Sequence, residues 1–347
     1  MNFYNSTHLH YCGIDLHARS LYVCILDQQG ETLLHKEIPA KPEHLLRLIE
    51  PYMNDLVIGV ECMHCWYWVA DFCEDQAIAF ILGHALYMKA IHGGKTKNDR
   101  IDSYKIAALI RGGNFPLAYV YPRTMRATRD LLRRRTNLVR HGADMKAHVA
   151  NTTSQYNLPP NKVNLKNVGA REQLGKTFDD PIVQRNIDLD MAVLDCYHRE
   201  LSQIEWLLEK QAKKHRPTYY HLLKTIPGIG RILALTILYE IGDIQRFESV
   251  QNFASYSRLI KCKAESAGKT YGTQGNKIGN AHLKWAFSEA AVLYLRGNPG
   301  AQKLLQRFQK RMSKAKALSA LAHKLGRAVY FMLKNEKVFD EQRFLMS

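Results

Sequence analysis

The sequence predicts a mixed α/β sheet domain over residues 1–122, a helical hairpin or coiled-coil region over 123–215, and a mainly α domain over 216–347. Three observations lead there. Short β-rich runs alternate with helically spaced segments before residue 119. From Met125 the apolar spacing lengthens into helices with a basic face. Near Pro217 a third pattern opens, built around an apolar helix after a Gly-x-Gly turn.

In the first region, 11–17 (YCGIDLH), 20–27 (SLYVCILD) and 31–38 (ETLLHKEI) are β-rich and joined by short turns, so three antiparallel strands are expected. Residues 42–53 carry Leu45, Leu46 and Ile49 at helical spacing, and LVIGVE at 56–61 is short enough for a buried strand. A helix at 65–75, a strand at 78–82 (IAFIL) and a helix at KNDRIDS follow. The order βββαβαβα describes a mixed sheet flanked by helices, the layout of RNase H-like and RuvC-like nuclease domains. YVYPRT at 119–124 closes the region.

Two helical stretches come next. The first has a basic face that includes Arg126, Arg129 and Arg133; the second spans roughly 188–214. They can pair as a hairpin or dimerise as a coiled coil. Between them, Pro159-Pro160 and several Asn and Lys residues read as a loop. In the third region, TIPGIGRILALTIL at 225–238 is either a phosphate-facing turn, with Gly228 and Gly230 presenting backbone N–H groups, or a tight packing turn. Residues 302–334 are again helical and basic.

The 347 residues carry a formal net charge of +17, an excess that points to a polyanionic partner, with nucleic acid the first choice. No apolar stretch approaches the roughly 20 residues that span a bilayer, and the first residues lack a signal-peptide pattern. Seven cysteines fit a reducing cytoplasm. Cys62 and Cys65 form a CxxC with Cys73 downstream, but no second pair at zinc-site spacing supports a metal-thiolate centre.

Against this basic background, residues 97–107 read KNDRIDSYKIA and place Asp99 and Asp102 on one helical face. Such neighbours repel unless a cation sits between them. Asp15 in the first strand and Glu61 at the end of the fourth are embedded in apolar sequence, where a carboxylate is costly without a partner. In an RNase H-like sheet these strands are neighbours, so the four acids can converge on one or two Mg2+ ions. Each acid also has a bland explanation: Asp99 suits a helix N-terminus, and Asp102 can pair with Arg100 or Lys105. His17, His64 and His84 are read as satisfied structural histidines or as groups that orient the metal-binding acids. The stretch 261–285 (KCKAESAGKTYGTQGNKIGNAHLKW) reads as a flexible, glycine-dense loop in which Lys269 and Lys277 suit phosphate; Ser266 there is either a nucleophile or merely a hydrogen-bond donor to a phosphate.

GIDLHARSLYVCILD, VIGVE and K-x-DRID-x-x-x-IA, with IPGIGRILALTILYEIGDIQRF, FASYSRL and GNKIGNAHLKWAFSEAA, resemble the DEDD-type insertion-sequence transposases, relatives of the Piv site-specific invertases and bridge-RNA-guided recombinases. The resemblance runs over nearly the whole chain in family order. It implies that Asp15, Glu61, Asp99 and Asp102 are the DEDD acids holding Mg2+, and that Ser266 forms a transient phosphoserine link to DNA. Where the family usually shows Ser-Ser-Gly, this chain has Glu265-Ser266-Ala267. The resemblance further implies homodimers or homotetramers, donor and target DNA, a noncoding bridge RNA, and a bacterial, cytoplasmic, nucleoid-associated protein. Two other readings compete: a RuvC-like junction resolvase that uses water without an RNA guide, and a non-catalytic nucleic-acid scaffold.

Overall fold

A computed structural model describes residues 2–91, 98–158, 174, 176–267, 269–274 and 278–346. The chain divides into two compact units, Met1–Arg123 and Thr124–Ser347.

The first unit is built on a seven-stranded mixed sheet in the order β1-β7-β6-β5-β2-β3-β4. The strands are β1 (Phe3–Tyr4), β2 (His10–Leu16), β3 (Ser20–Leu26), β4 (Thr32–Pro39), β5 (Leu56–Glu61), β6 (Ala79–Gly83) and β7 (Phe115–Ala118). β2, β3 and β4 form the expected antiparallel meander, while β2, β5 and β6 run parallel. The sequence did not announce β1 and β7. They hold two and four residues, and β7 contains Pro116, so neither shows a readable alternation.

Alternation along β2 and β5 sorts the core into two layers. Cys12, Ile14 and Leu16, with Ile58 and Val60, pack with α1 (Pro42–Ile49) and α2 (Tyr67–Asp75). Tyr11 and Val57 face the other way, with Ile106, Leu109 and Ile110 of α4 (Asp99–Arg111) and Met88 of α3 (Ala85–Ile91). On this second face both strands carry a glycine where α4 crosses. A Cβ on Gly13 would lie 2.3 Å from the Ala107 nitrogen and 2.4 Å from the Ser103 carbonyl oxygen. On Gly59 it would meet Ile110 Cδ1 at 2.5 Å. The helix backbone therefore rests directly on β2, closer than any side chain permits.

Among the described residues, the second unit is helical apart from one hairpin. α5 (Arg123–Gln155) and α6 (Pro181–His215) pair antiparallel, joined by Arg135 to Glu205 at 2.7 Å and His148 to Asp190 at 2.5 Å. The hairpin alternative is thus realised within one chain; the stretch 159–173 lies outside the described residues. Met125, Leu132, Leu208 and Ala212 of this pair belong to the same core as α7 (Pro217–Lys224), α8 (Arg231–Ile241), α9 (Val250–Tyr256), α10 (Ala281–Tyr294), α11 (Pro299–Gln309), α12 (Lys314–Asn335) and α13 (Glu341–Met346). Every residue from Leu233 to Ile241 is buried, making α8 the central helix of the unit.

The glycine-dense stretch after Ile260 is not the flexible loop expected from composition. β8 (Cys262–Ser266) and β9 (Lys269–Gln274) form an antiparallel hairpin, with Thr270, Tyr271 and Thr273 supplying the strand-forming residues that the glycines obscured. The basic stretch 302–334 is helical as expected, in two helices broken around Arg311–Ser313.

Gly13→Ala would force the helix backbone off the sheet. The expected cost is about 1–3 kcal/mol of stability, typical of overpacking, read by chemical denaturation of the full chain followed through its sheet signal.

Candidate active site

The close seating of α4 determines what stands at the carboxyl ends of β2 and β5. Ile14 pairs with Val60 in parallel register, so Asp15 and Glu61 occupy equivalent places on neighbouring strands. Both continue the Gly13 and Gly59 face, the one α4 covers. α4 runs opposite to β2, bringing Ser103 and Ala107 to Gly13 and its first turn toward Asp15. That turn carries Asp99 and Asp102 and is capped by Asn98, whose side chain accepts the Arg100 N–H at 3.0 Å.

His17 Nε2 lies 3.4 Å from Asp15 Oδ2 and 3.4 Å from Asp99 Oδ2. Among the described residues, Asp15, His17 and Asp99 form a group whose ligand atoms lie within 4.8 Å of one another, close enough for one metal ion. Asp102 is not in that group; its Oδ1 is 3.4 Å from Lys105 Nζ, the bland pairing that the sequence allowed. It still acts on Asp15. Burial pushes the Asp15 carboxyl above the usual range, His17 pulls it down, and Asp99 and Asp102 raise it further. Glu61 is half-buried at the end of β5. A carboxylate that burial and two like charges all disfavour as an anion is in the electrostatic state a divalent cation relieves. The donor set fits such an ion.

His35 on β4 braces the same turn. Its Nε2 is 2.9 Å from the Arg100 carbonyl and 3.1 Å from the fully buried Ser103 Oγ. The carbonyl can only accept, so the His35 ring N–H donates to it; burial and the Arg100 charge lower the His35 pKa, opposed by that hydrogen bond. Cys62, Cys65 and Cys73 form no disulfide.

In the second unit the expected basic face is partly turned inward. Arg126 is buried. Arg129 and Arg133 converge on Glu240 of α8, which is 1% exposed. Glu240 accepts from Arg129 Nη2 at 3.0 Å, Arg133 Nε at 2.7 Å and Asn280 Nδ2 at 2.7 Å. Reading these arginines only as nucleic-acid contacts missed their work in the fold: they neutralise a carboxylate buried in the central helix. Asn280 also caps α10, accepting from His282 N–H at 2.9 Å and Leu283 N–H at 3.0 Å.

Gly228 is a packing position. Its φ is +85°, and a Cβ there would approach the Tyr294 nitrogen to 2.6 Å. Gly230 is exposed at the N-terminus of α8, with nothing within 4 Å of a Cβ built on it. Ser266 is the last residue of β8 and pairs across the hairpin turn with the exposed Lys269. Lys277 lies outside the described residues.

Two family profiles match this chain. Residues 12–157 match a DEDD transposase domain, and residues 220–306 match the transposase IS116/IS110/IS902 family. The first covers the acids and the second the hairpin carrying Ser266. The chain belongs to this transposase family.

Among similar proteins, the transposase for insertion sequence element IS1111A of Coxiella burnetii is 21% identical over 94% of this chain and 90% of its own length. The pilin gene-inverting protein of Moraxella bovis is 30% identical over 35% of this chain. A putative transposase of Sinorhizobium fredii is 24% identical over 58% of this chain. The chain spans 38% of the Moraxella protein and 49% of the Sinorhizobium protein.

Two features of the chain escaped the sequence reading. His17, read as structural or as a support for the neighbouring acids, stands just past the end of β2, with its Nε2 3.4 Å from both Asp15 and Asp99. Glu240 was overlooked inside RILALTILYEI, although the cost of burying an unpaired carboxylate there is the argument that singled out Asp15.

Burial alone would raise the Glu240 pKa, but hydrogen bonding from Arg133, the charges of Arg129 and Arg133, and Asn280 together hold it at about 2, against an ordinary 4.5. The depressed folded-state value contributes stability above pH 4.5 that is lost as pH falls toward 2, about 3 kcal/mol in all. Acid titration of thermal stability should therefore show a steeper loss in the wild type than in Glu240→Gln. Glu240→Ala, which strands two arginines, should cost about 3–5 kcal/mol at pH 7 in denaturant unfolding.

Proposed function

We propose that the chain is the DNA transposase and recombinase of a bacterial insertion sequence, using Mg2+ held by Asp15, Glu61, Asp99 and Asp102. The observation that carries this reading is the delivery of Asp99 to Asp15 by α4, with Asp102 near enough to raise the Asp15 pKa. A hard cation on these oxygens would polarise a scissile phosphate and neutralise charge developing on it.

The remaining roles belong to the chain's own residues. The RNase H-like first unit contributes the acids and the second contributes Ser266. The Ser266 hydroxyl attacks phosphorus, a sugar hydroxyl leaves, and the phosphoserine ester conserves the bond for attack by a hydroxyl of another DNA strand. Exposed Lys269, the open N-terminus at Gly230, and exposed Lys303, Arg307, Lys310, Arg311, Lys314 and Lys316 suit phosphate backbones. With Arg129 and Arg133 committed to Glu240, these are the stronger candidates for that contact. No base-reading module is recognisable in the sequence, so a bridge RNA that pairs with donor and target DNA is the natural source of specificity. The working assembly is a homodimer or homotetramer in the cytoplasm, on the nucleoid.

Co-expression with the DNA flanking the gene, followed by sequencing of the bound RNA, should return one structured RNA encoded in that flank. With the matching DNA, the wild type should form a covalent protein–DNA adduct that Ser266→Ala loses. Asp15→Asn and Asp102→Asn should abolish strand exchange, a loss of at least about a thousandfold, while binding persists. Full cleavage by Ser266→Ala without an adduct would replace this mechanism with water-driven resolution. Full activity of Asp15→Asn would remove the cation from the account.

A further inference from the structure

His17 has no part in a four-carboxylate centre, yet its Nε2 stands equally close to Asp15 and Asp99. We propose that His17 is itself a ligand of the divalent cation, giving a mixed nitrogen and oxygen donor set; this rests on the cation reading above.

Position, spacing and donor chemistry support it. His17 follows β2 directly, and its backbone N–H donates to the Ser20 carbonyl at 3.0 Å in the turn to β3. Leu16 points into the opposite core layer, which leaves Asp15 and His17 on one side. The imidazole is 46% exposed on its side chain, so it is accessible to an ion arriving from solvent. An octahedral ion about 2.1 Å from two neighbouring ligand atoms holds them about 3.0 Å apart, so the two His17 contacts, both at 3.4 Å, need to close by only a few tenths of an ångström.

Imidazole shifts preference away from the hard Mg2+ ion and toward Mn2+ and later first-row metals. The centre therefore accepts Mg2+ through its carboxylates, and the imidazole nitrogen adds more to Mn2+ binding than to Mg2+ binding. A protonated His17 acting as a resident counter-charge makes the opposite prediction: it competes with the cation, and its removal strengthens binding.

The test uses the full chain with Mn2+ alone and Mg2+ alone. Pulsed electron paramagnetic resonance of bound Mn2+ should show directly coordinated 14N, and His17→Gln should lose that coupling. Mn2+ affinity should fall about tenfold or more in His17→Gln, with a smaller change for Mg2+. His17→Asp should lack the nitrogen coupling yet bind Mg2+ at least as well as the wild type, which separates ligand loss from misfolding. Wild-type Mn2+ without 14N coupling, coupling that survives His17→Gln, or tighter Mn2+ binding by His17→Gln would overturn the assignment while leaving a carboxylate centre intact. Mn2+ binding that is equally weak in the wild type and in Asp15→Asn would overturn the cation reading as well.

Discussion

The first unit depends on one approach: the backbone of α4 lies on β2 at Gly13, where no Cβ fits. Everything that makes the acids a cluster follows from it. A larger residue at position 13 would lift the helix by the thickness of a side chain, and its first turn, carrying Asp99 and Asp102, would move away from Asp15. Gly59 extends the same constraint onto β5, where the contact is with the end of the Ile110 side chain and is more forgiving. His35, bound to the first turn of α4 from β4, and the Asn98 cap then fix where that turn ends.

The two units treat buried negative charge in opposite ways. Glu240 is almost completely enclosed and fully answered by Arg129, Arg133 and Asn280, so it stays ionised and ties α5, α8 and α10 together. Asp15 is less enclosed but surrounded by further acids, with a single imidazole between it and Asp99. The first arrangement is complete as it stands, and its value is mechanical. The second gains from a cation. Removing a partner from each should therefore have different consequences: loss of stability at Glu240, and loss of chemistry at Asp15.

Much of this was legible in the sequence because the relevant patterns are local. The three-strand start, the apolar LVIGVE strand and the KNDRIDS helix each carry their own periodicity, and the four acids stand out by contrast with a basic chain. What was not legible depends on contacts far apart in sequence. Arg129 and Arg133 form a basic helical face in one dimension, but their partner lies more than a hundred residues away, so the surface reading could not see them turned inward. The β8–β9 hairpin was hidden by its glycines, which weaken strand periodicity without preventing pairing. Gly228 was open to two readings, and its positive φ and contact with α10 make it a packing turn. His17 lies just past β2, in the turn to β3, so strand alternation alone did not place it between Asp15 and Asp99.

The central claim is that α4 seated on β2 and β5 assembles a cation centre at its N-terminal turn. A crystal of the full chain grown with Mn2+ and measured at the manganese absorption edge tests it most directly. The account predicts one or two anomalous peaks within ligand distance of Asp15 and Asp99, with Glu61 and Asp102 in the same shell or held to it through water. Peaks confined to other sites, with the Asp15 and Asp99 carboxylates bare at saturating Mn2+, would contradict it.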